Sequence, residues 1–148
     1  MIIIRLTVNE SKKYEEVEII INCSHIDKQL ERLIKQINQI SIALPGIREG
    51  RTYSLLVEDV YYIETIDNQT FSYTEKEVYQ CDLKLYEIEQ KLSKTHFIRI
   101  SKNLIVNTAH IESVRALFNG KFEAVLTNGE KVIVNRHYVK AFKAKFLS

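Results

Sequence analysis

A chain of 148 residues, 45% hydrophobic and 27% charged, has the makeup of one soluble globular domain or of a compact domain with a short appendage. No apolar run approaches the roughly 20 residues a membrane span requires, and Arg5 interrupts the Ile-rich start, which therefore reads as a strand and not a signal peptide. The net charge of +2 hides a gradient: residues 51–92 hold nine Asp/Glu against four Lys/Arg, whereas residues 93–148 hold ten Lys/Arg against three Asp/Glu, the surface a phosphate-binding protein needs.

Met1 to Val8 places Ile2, Ile4, Leu6 and Val8 on one face, and Val17, Ile19 and Ile21 repeat the period-two pattern, so two half-buried strands are predicted as a hairpin. Ser24 stands at capping-box spacing from Asp27. Ile26, Leu30, Leu33, Ile34, Ile37 and Leu44 then form one apolar stripe, and the pattern predicts a helix of about five turns stopped by Pro45 and Gly46. Cys23 and Cys81 lack any C-x-x-C spacing and read as reduced thiols, which places the chain in the cytoplasm. Cys23 and His25 have no further ligands at suitable spacing, so no metal site is expected.

From Thr52 the alternation of Tyr53, Leu55 and Val57 predicts a strand, and Val60 to Ile66 and Thr70 to Thr74 predict a hairpin with Asp67, Asn68 and Gln69 at its turn. Leu85, Ile88 and Leu92 mark a helix over about Asp82 to Leu92. Phe97 to Asn107 reads as strand, polar turn and buried strand, with Ile98 and Ile100 inward and Arg99 and Ser101 outward. Thr108 to Ser113 reads as one helical turn. Val114 to Phe118, Phe122 to Leu126 and Val132 to Asn135 form a three-stranded meander, with Asn119-Gly120 and Asn128-Gly129 at tight two-residue turns. His137 to Phe146 closes the chain as a short amphipathic helix.

Nothing in this pattern supplies an enzyme's parts. There is no Gly-rich phosphate loop, no G-x-S-x-G and no H-E-x-x-H, and His96, His110 and His137 have no acid or nucleophile at a recognisable spacing. Glu58, Asp59 and Glu64 read as solvated strand ends. No catalytic residue, cofactor or small-molecule substrate is expected. Donors for phosphates and base edges do collect in three places. These are the hairpin tip Asn68, Gln69 and Thr70; the turn Arg99, Ser101, Lys102 and Asn103; and the strand-to-helix junction Asn135, Arg136 and His137.

Three stretches, VEDVYYIET (57–65), FIRISKNLIVN (97–107) and TNGEKVIVNRHYV (127–139), together resemble the LytTR family of bacterial DNA-binding domains in the right order, over roughly Thr52 to Leu147. The resemblance implies an antiparallel β scaffold whose loops enter successive major grooves on one face of double-stranded DNA, with no recognition helix. By motif position it assigns Lys102 and Asn103 to the central DNA-contacting turn, Arg136 to a C-terminal basic contact, and Gln69 or Thr70 to the first loop. Family members often carry a phospho-acceptor receiver domain, for which this chain has no room.

The expected fold is thus mainly β with short helices, an α+β chain in which an antiparallel hairpin-and-meander domain (51–148) follows a small β-β-α unit (1–50). That unit is assigned to regulation or dimerisation, with a second copy or a membrane-bound regulatory partner as its occupant. The chain reads as a transcription regulator. A competing class is an interaction module whose basic surface meets an acidic protein. RNA binding would instead use exposed stacking aromatics, and Phe71 and Tyr73 read more simply as cross-strand packing.

Overall fold

A computed structural model describes residues 3–147. Residues 3–27 contain no helix and no strand, so the predicted opening hairpin is absent; Met1 and Ile2, part of its first strand, lie outside the described residues. Its apolar side chains stand in water, with Ile3, Leu6 and Val17 each more than four-fifths exposed. A two-stranded hairpin with nothing covering its apolar face is marginal in water, which is the physical reason the period-two pattern does not suffice here.

The helix does form, as α1 (Lys28–Ser41), but its cap is Asp27, whose Oδ1 accepts from Leu30 N at 2.8 Å. Ser24 turns instead to His25 Nδ1 at 3.3 Å, and Ile26, expected on the helical stripe, stays outside the helix and exposed. Leu30 is buried and Leu33, Ile34 and Ile37 are half-buried. Leu44 belongs to no helix. It lies fully buried in β1 (Ala43–Arg48), which also holds Pro45 and Gly46. In-register pairing of β1 with its inner neighbour is confined to Ile47↔Gln80, which leaves Pro45 beyond the ladder on that side. Gly46 is required by close packing, because a Cβ there would sit 2.6 Å from Leu55 Cδ1 and 2.9 Å from Tyr79 Cβ.

The chain continues as β2 (Arg51–Leu56), a 3-10 turn (Val57–Asp59), β3 (Tyr62–Ile66), β4 (Gln69–Tyr73), β5 (Val78–Cys81), α2 (Leu85–Lys91), β6 (Phe97–Ser101) and β7 (Leu104–Asn107). After a second 3-10 turn (Thr108–His110) come β8 (Ile111–Ala116), β9 (Phe122–Leu126), β10 (Lys131–Val134), a third 3-10 turn (Arg136–Tyr138) and α3 (Val139–Phe146). Seven strands make one antiparallel sheet in the order β2-β1-β5-β4-β3-β7-β6, and the predicted meander makes a second in the order β10-β9-β8. Among the described residues the class is the expected one, mostly antiparallel β with three short helices. Residue 50 falls in the turn of the β1–β2 hairpin, so the sheet takes its β1 from the first fifty residues.

Alternation along β3, β6 and β7 feeds two cores. Ile63, Phe97 and Ile105 face α2, where Leu85, Ile88 and Leu92 meet them. Ile100 and Val106, with Ile98 half-buried beside them, face the second sheet and α3, where Ala124, Leu126, Val134 and Phe142 are buried. Asn107 is fully buried and satisfied: its Nδ2 donates to Val60 O at 2.9 Å and its Oδ1 accepts from Ala109 N at 3.1 Å. Tyr73 stacks on its cross-strand partner Tyr62 with centroids 4.3 Å apart. Its hydroxyl donates to Glu64 Oε1 at 2.7 Å, and burial together with that carboxylate pushes its pKa up to about 12. Among the described residues no helix is long and apolar enough to cross a membrane.

Candidate nucleic-acid interface

The β3–β4 tip is a two-residue turn in which Asp67 and Asn68 take φ of 51° and 62°, the conformation short polar side chains tolerate best. Gln69 pairs with Ile66 as the first residue of β4 and does not belong to the turn. Asn68 and Gln69 are exposed. Thr70 is only 4% exposed, with its Oγ1 3.5 Å from Thr65 Oγ1, so it lies beneath the tip.

The β6–β7 turn is braced by one of the residues predicted to project from it. Arg99 Nε donates to Ser101 O at 3.2 Å, its Nη2 donates to Lys102 O, and its Nη1 lies 3.4 Å from Glu89 Oε1. Ser101 Oγ accepts from Asn103 N at 3.2 Å. With Arg99 and Ser101 occupied in this way, Lys102 and Asn103 are the exposed side chains of the turn. A register shift between Arg99 and Ser101 accompanies the brace.

Two main-chain hydrogen bonds bring the three predicted places together. Thr65 N donates to Asn103 O at 2.9 Å, setting the β3–β4 tip beside the β6–β7 turn. Asn135 N donates to Ile100 O at 2.8 Å, setting the junction on the other flank of the same strand pair. Asn135 also caps the 3-10 turn, its carbonyl accepting from Tyr138 N at 2.9 Å, and Arg136 and His137 project into solvent.

A shallow groove at this junction is lined by Asn119, Lys121, Asn135, Arg136 and His137, with no carboxylate. Asn119 and Lys121 come from the β8–β9 turn, and sequence reasoning missed them as site residues because Asn119-Gly120 was legible only as a turn. The turn itself differs from expectation. Gly120 and Gly129 carry φ of 84° and 91° while neither asparagine is at positive φ. Each is a three-residue connection closed by a left-handed glycine. A second groove, between α1 and α3, is lined by Arg32, Lys35, His96, Thr108, Ala109, Lys145 and Phe146. Lys145 Nζ donates there to Thr95 O at 2.6 Å and Ser93 O at 3.2 Å. Burial, with the charge of Lys35 added, lowers the pKa of both Lys145 and His96.

The row of amide, ammonium, guanidinium and imidazole groups on rigid strand ends is chemistry for phosphates and base edges. The LytTr DNA-binding domain family matches residues 50–147. Among known proteins, the Sensory transduction protein LytT of Enterococcus faecalis is 38% identical over 105 residues, 71% of this chain and 43% of that one. The Transcriptional regulatory protein LytR of Staphylococcus aureus is 34% identical over 102 residues, 69% of this chain and 42% of its own length. This chain therefore spans less than half the length of those relatives. A solved LytTr DNA-binding domain of a putative methyl-accepting/DNA response regulator from Bacillus cereus superposes with a TM-score of 0.66 at 26% identity, over 70% of this chain and 94% of that one. With the motifs, the fold and the family match all covering the same two thirds of the sequence, the chain belongs to the LytTr DNA-binding domain family.

Proposed function

We propose that this protein is a cytoplasmic, sequence-specific, double-stranded DNA-binding transcription regulator that reaches the major groove through loops of a β scaffold. The observation that carries the reading is the single row formed by the β3–β4 tip, the β6–β7 turn and the 135–137 junction, tied by the Thr65–Asn103 and Asn135–Ile100 bonds. In it Asn68, Gln69, Lys102, Asn103, Asn135, Arg136 and His137 meet DNA, while Arg99, Ser101 and Thr70 hold the loops in shape. Cations concentrated in residues 93–148 supply phosphate contacts. Binding to a selected duplex is expected to fall with salt at a log-log slope of magnitude about 4 to 8 per protomer, at about 0.9 per phosphate contact. A slope near zero, or equal affinity for a scrambled duplex, refutes the reading.

The exposed apolar residues of 3–26 favour a role for this segment in self-association, since so many apolar side chains left in water on one segment gain by burial against a second copy. A membrane-bound regulatory partner would occupy the same segment. Joining two protomers raises apparent affinity for a paired site through effective concentration. Because β1 is part of the sheet and α1 packs on it, the fragment that tests this begins at Asp27, not at Arg51. It is expected to keep the affinity of the full chain for one half-site and to lose tight binding to two. A folded fragment equal to the full chain on the paired site, in binding and sedimentation, refutes the role.

A further inference from the structure

We infer that the β8–β9 turn is a fourth DNA-contacting element, in which Lys121, beside Arg136, takes a backbone phosphate and Phe118 packs against the sugar and base edge of the flanking step. The inference rests on the DNA-binding reading above and extends the row of loops by one place.

Phe118 is the starting point, because it is 105% exposed and belongs to neither core. The turn that carries it is well defined. Leu117 N donates to Lys121 O at 2.8 Å, Gly120 N donates to Leu117 O at 3.2 Å, and Gly120 closes the turn at φ 84°. The β9–β10 turn repeats this pattern, with Leu126 N to Glu130 O at 2.8 Å, Gly129 N to Leu126 O at 2.9 Å and φ 91° at Gly129. At the place of Phe118 that second turn holds Thr127, so the backbone geometry does not call for an aromatic. Neither the packing nor the turn explains the phenyl ring.

Its surroundings do. A Cβ on Gly120 would lie 3.0 Å from Arg136 Cδ and 3.3 Å from Arg136 Cγ, so the turn's main chain rests on the aliphatic arm of Arg136. Asn119 and Lys121 share the groove of Asn135, Arg136 and His137. Lys143 from α3 lies over the Phe122 ring at 4.8 Å, adding another cation at the root of the turn. Glu123, the acidic residue two places beyond Lys121, is held by Arg115 Nε at 3.0 Å. An apolar side chain in water on the turn that lines a carboxylate-free cationic groove fits a nucleic-acid flank, where phosphate takes the cations and sugar or an unstacked base edge takes the ring. Because β9 and β8 follow β10 outward in their sheet and it is β10 that adjoins β6, the β8–β9 turn sits on the outer side of the Arg136 junction, and its contact is expected outside the base pairs that the other three loops cover.

The test uses the full chain, a duplex selected from a random library, and two versions of it. One ends at the boundary protected on the Arg136 side, and the other continues for about one further helical turn. Phe118→Ala is expected to weaken binding to the long duplex about fivefold or more and to leave the short one unchanged. Lys121→Gln is expected to lower the salt slope on the long duplex by about 1. Both substitutions are at a solvent-facing turn, and circular dichroism checks that the variants are folded. If the parent binds and both variants match it on both duplexes, the turn is no contact and the inference fails while the DNA-binding reading stands. If Phe118→Ala instead dissociates a dimer in sedimentation and leaves single-site binding unchanged, the ring serves contact between copies and the inference is overturned. A parent that binds no selected duplex removes both readings together.

Discussion

Phe142→Ala is expected to lower the unfolding free energy by about 3–5 kcal/mol, the cost of a large buried side chain together with the cavity it leaves. Phe142 is fully buried in the core between the seven-stranded sheet and the meander, and its ring stacks on Phe146 with centroids 5.6 Å apart. A domain of this size has about 5–15 kcal/mol in total, so the variant loses a large fraction of it. The damage falls on α3, which packs on β6 and continues directly from the Arg136–Tyr138 turn. Binding should therefore fail at temperatures where the parent still binds. Urea denaturation followed by circular dichroism measures the change. A shift below about 1 kcal/mol would mean that α3 contributes little to the fold.

Arg136→Ala and Lys102→Ala should differ in kind. Arg136 projects from the junction with its arm supported by Gly120, which suits a fixed bidentate contact to a guanine edge. Its loss is expected to weaken the selected site by about 1–3 kcal/mol, roughly 5- to 150-fold, and to relax preference at one base pair. Lys102 is an exposed point charge at a turn whose shape Arg99 maintains, so its loss should weaken all duplexes alike and reduce the salt slope by about 1. Competition against a panel of duplexes, each changed at one base pair, separates the two patterns. Two folded variants that bind like the parent would remove both residues from the interface.

Local chemistry was legible where a segment's own residues decide its shape. The polar break at Lys102-Asn103 between two apolar strands marks the β6–β7 hairpin, and Asp67, Asn68 and Gln69 mark the β3–β4 turn one residue too long, since Asp67 and Asn68 alone take the positive φ and Gln69 already pairs in β4. Asn119-Gly120 and Asn128-Gly129 were found as turns but mistaken in type, since only the glycine takes positive φ and the loop is one residue longer. The opening hairpin misled because alternation states what a strand would bury, not whether anything is there to bury it against. The spacing of Leu44 fits the end of a helix and Pro45-Gly46 its stop, whereas sheet pairing with β2 decides that segment. Four-residue β5, beside the charged Glu75–Glu77 turn, had too short a run to register. At the candidate interface, the sequence shows three donor groups but not their juxtaposition. That depends on contacts across 38 positions from Thr65 to Asn103 and 35 from Ile100 to Asn135. Nor does a sequence reveal that Arg99 folds back on its own turn, or that Thr70 lies under the tip.

Because the bonds from Thr65 to Asn103 and from Asn135 to Ile100 run from main chain to main chain, the interval between loops is independent of the side chains the loops display. The frame behaves as a ruler with exchangeable markings. On the proposed DNA-binding reading, substitution at 68, 102 or 136 is expected to alter what is touched without altering where along the duplex it is touched, and any residue except proline at 65 and 135 retains the main-chain donor. If the loops read DNA as proposed, chains built on the same frame would diverge in the bases they prefer while holding the same distance between contacts.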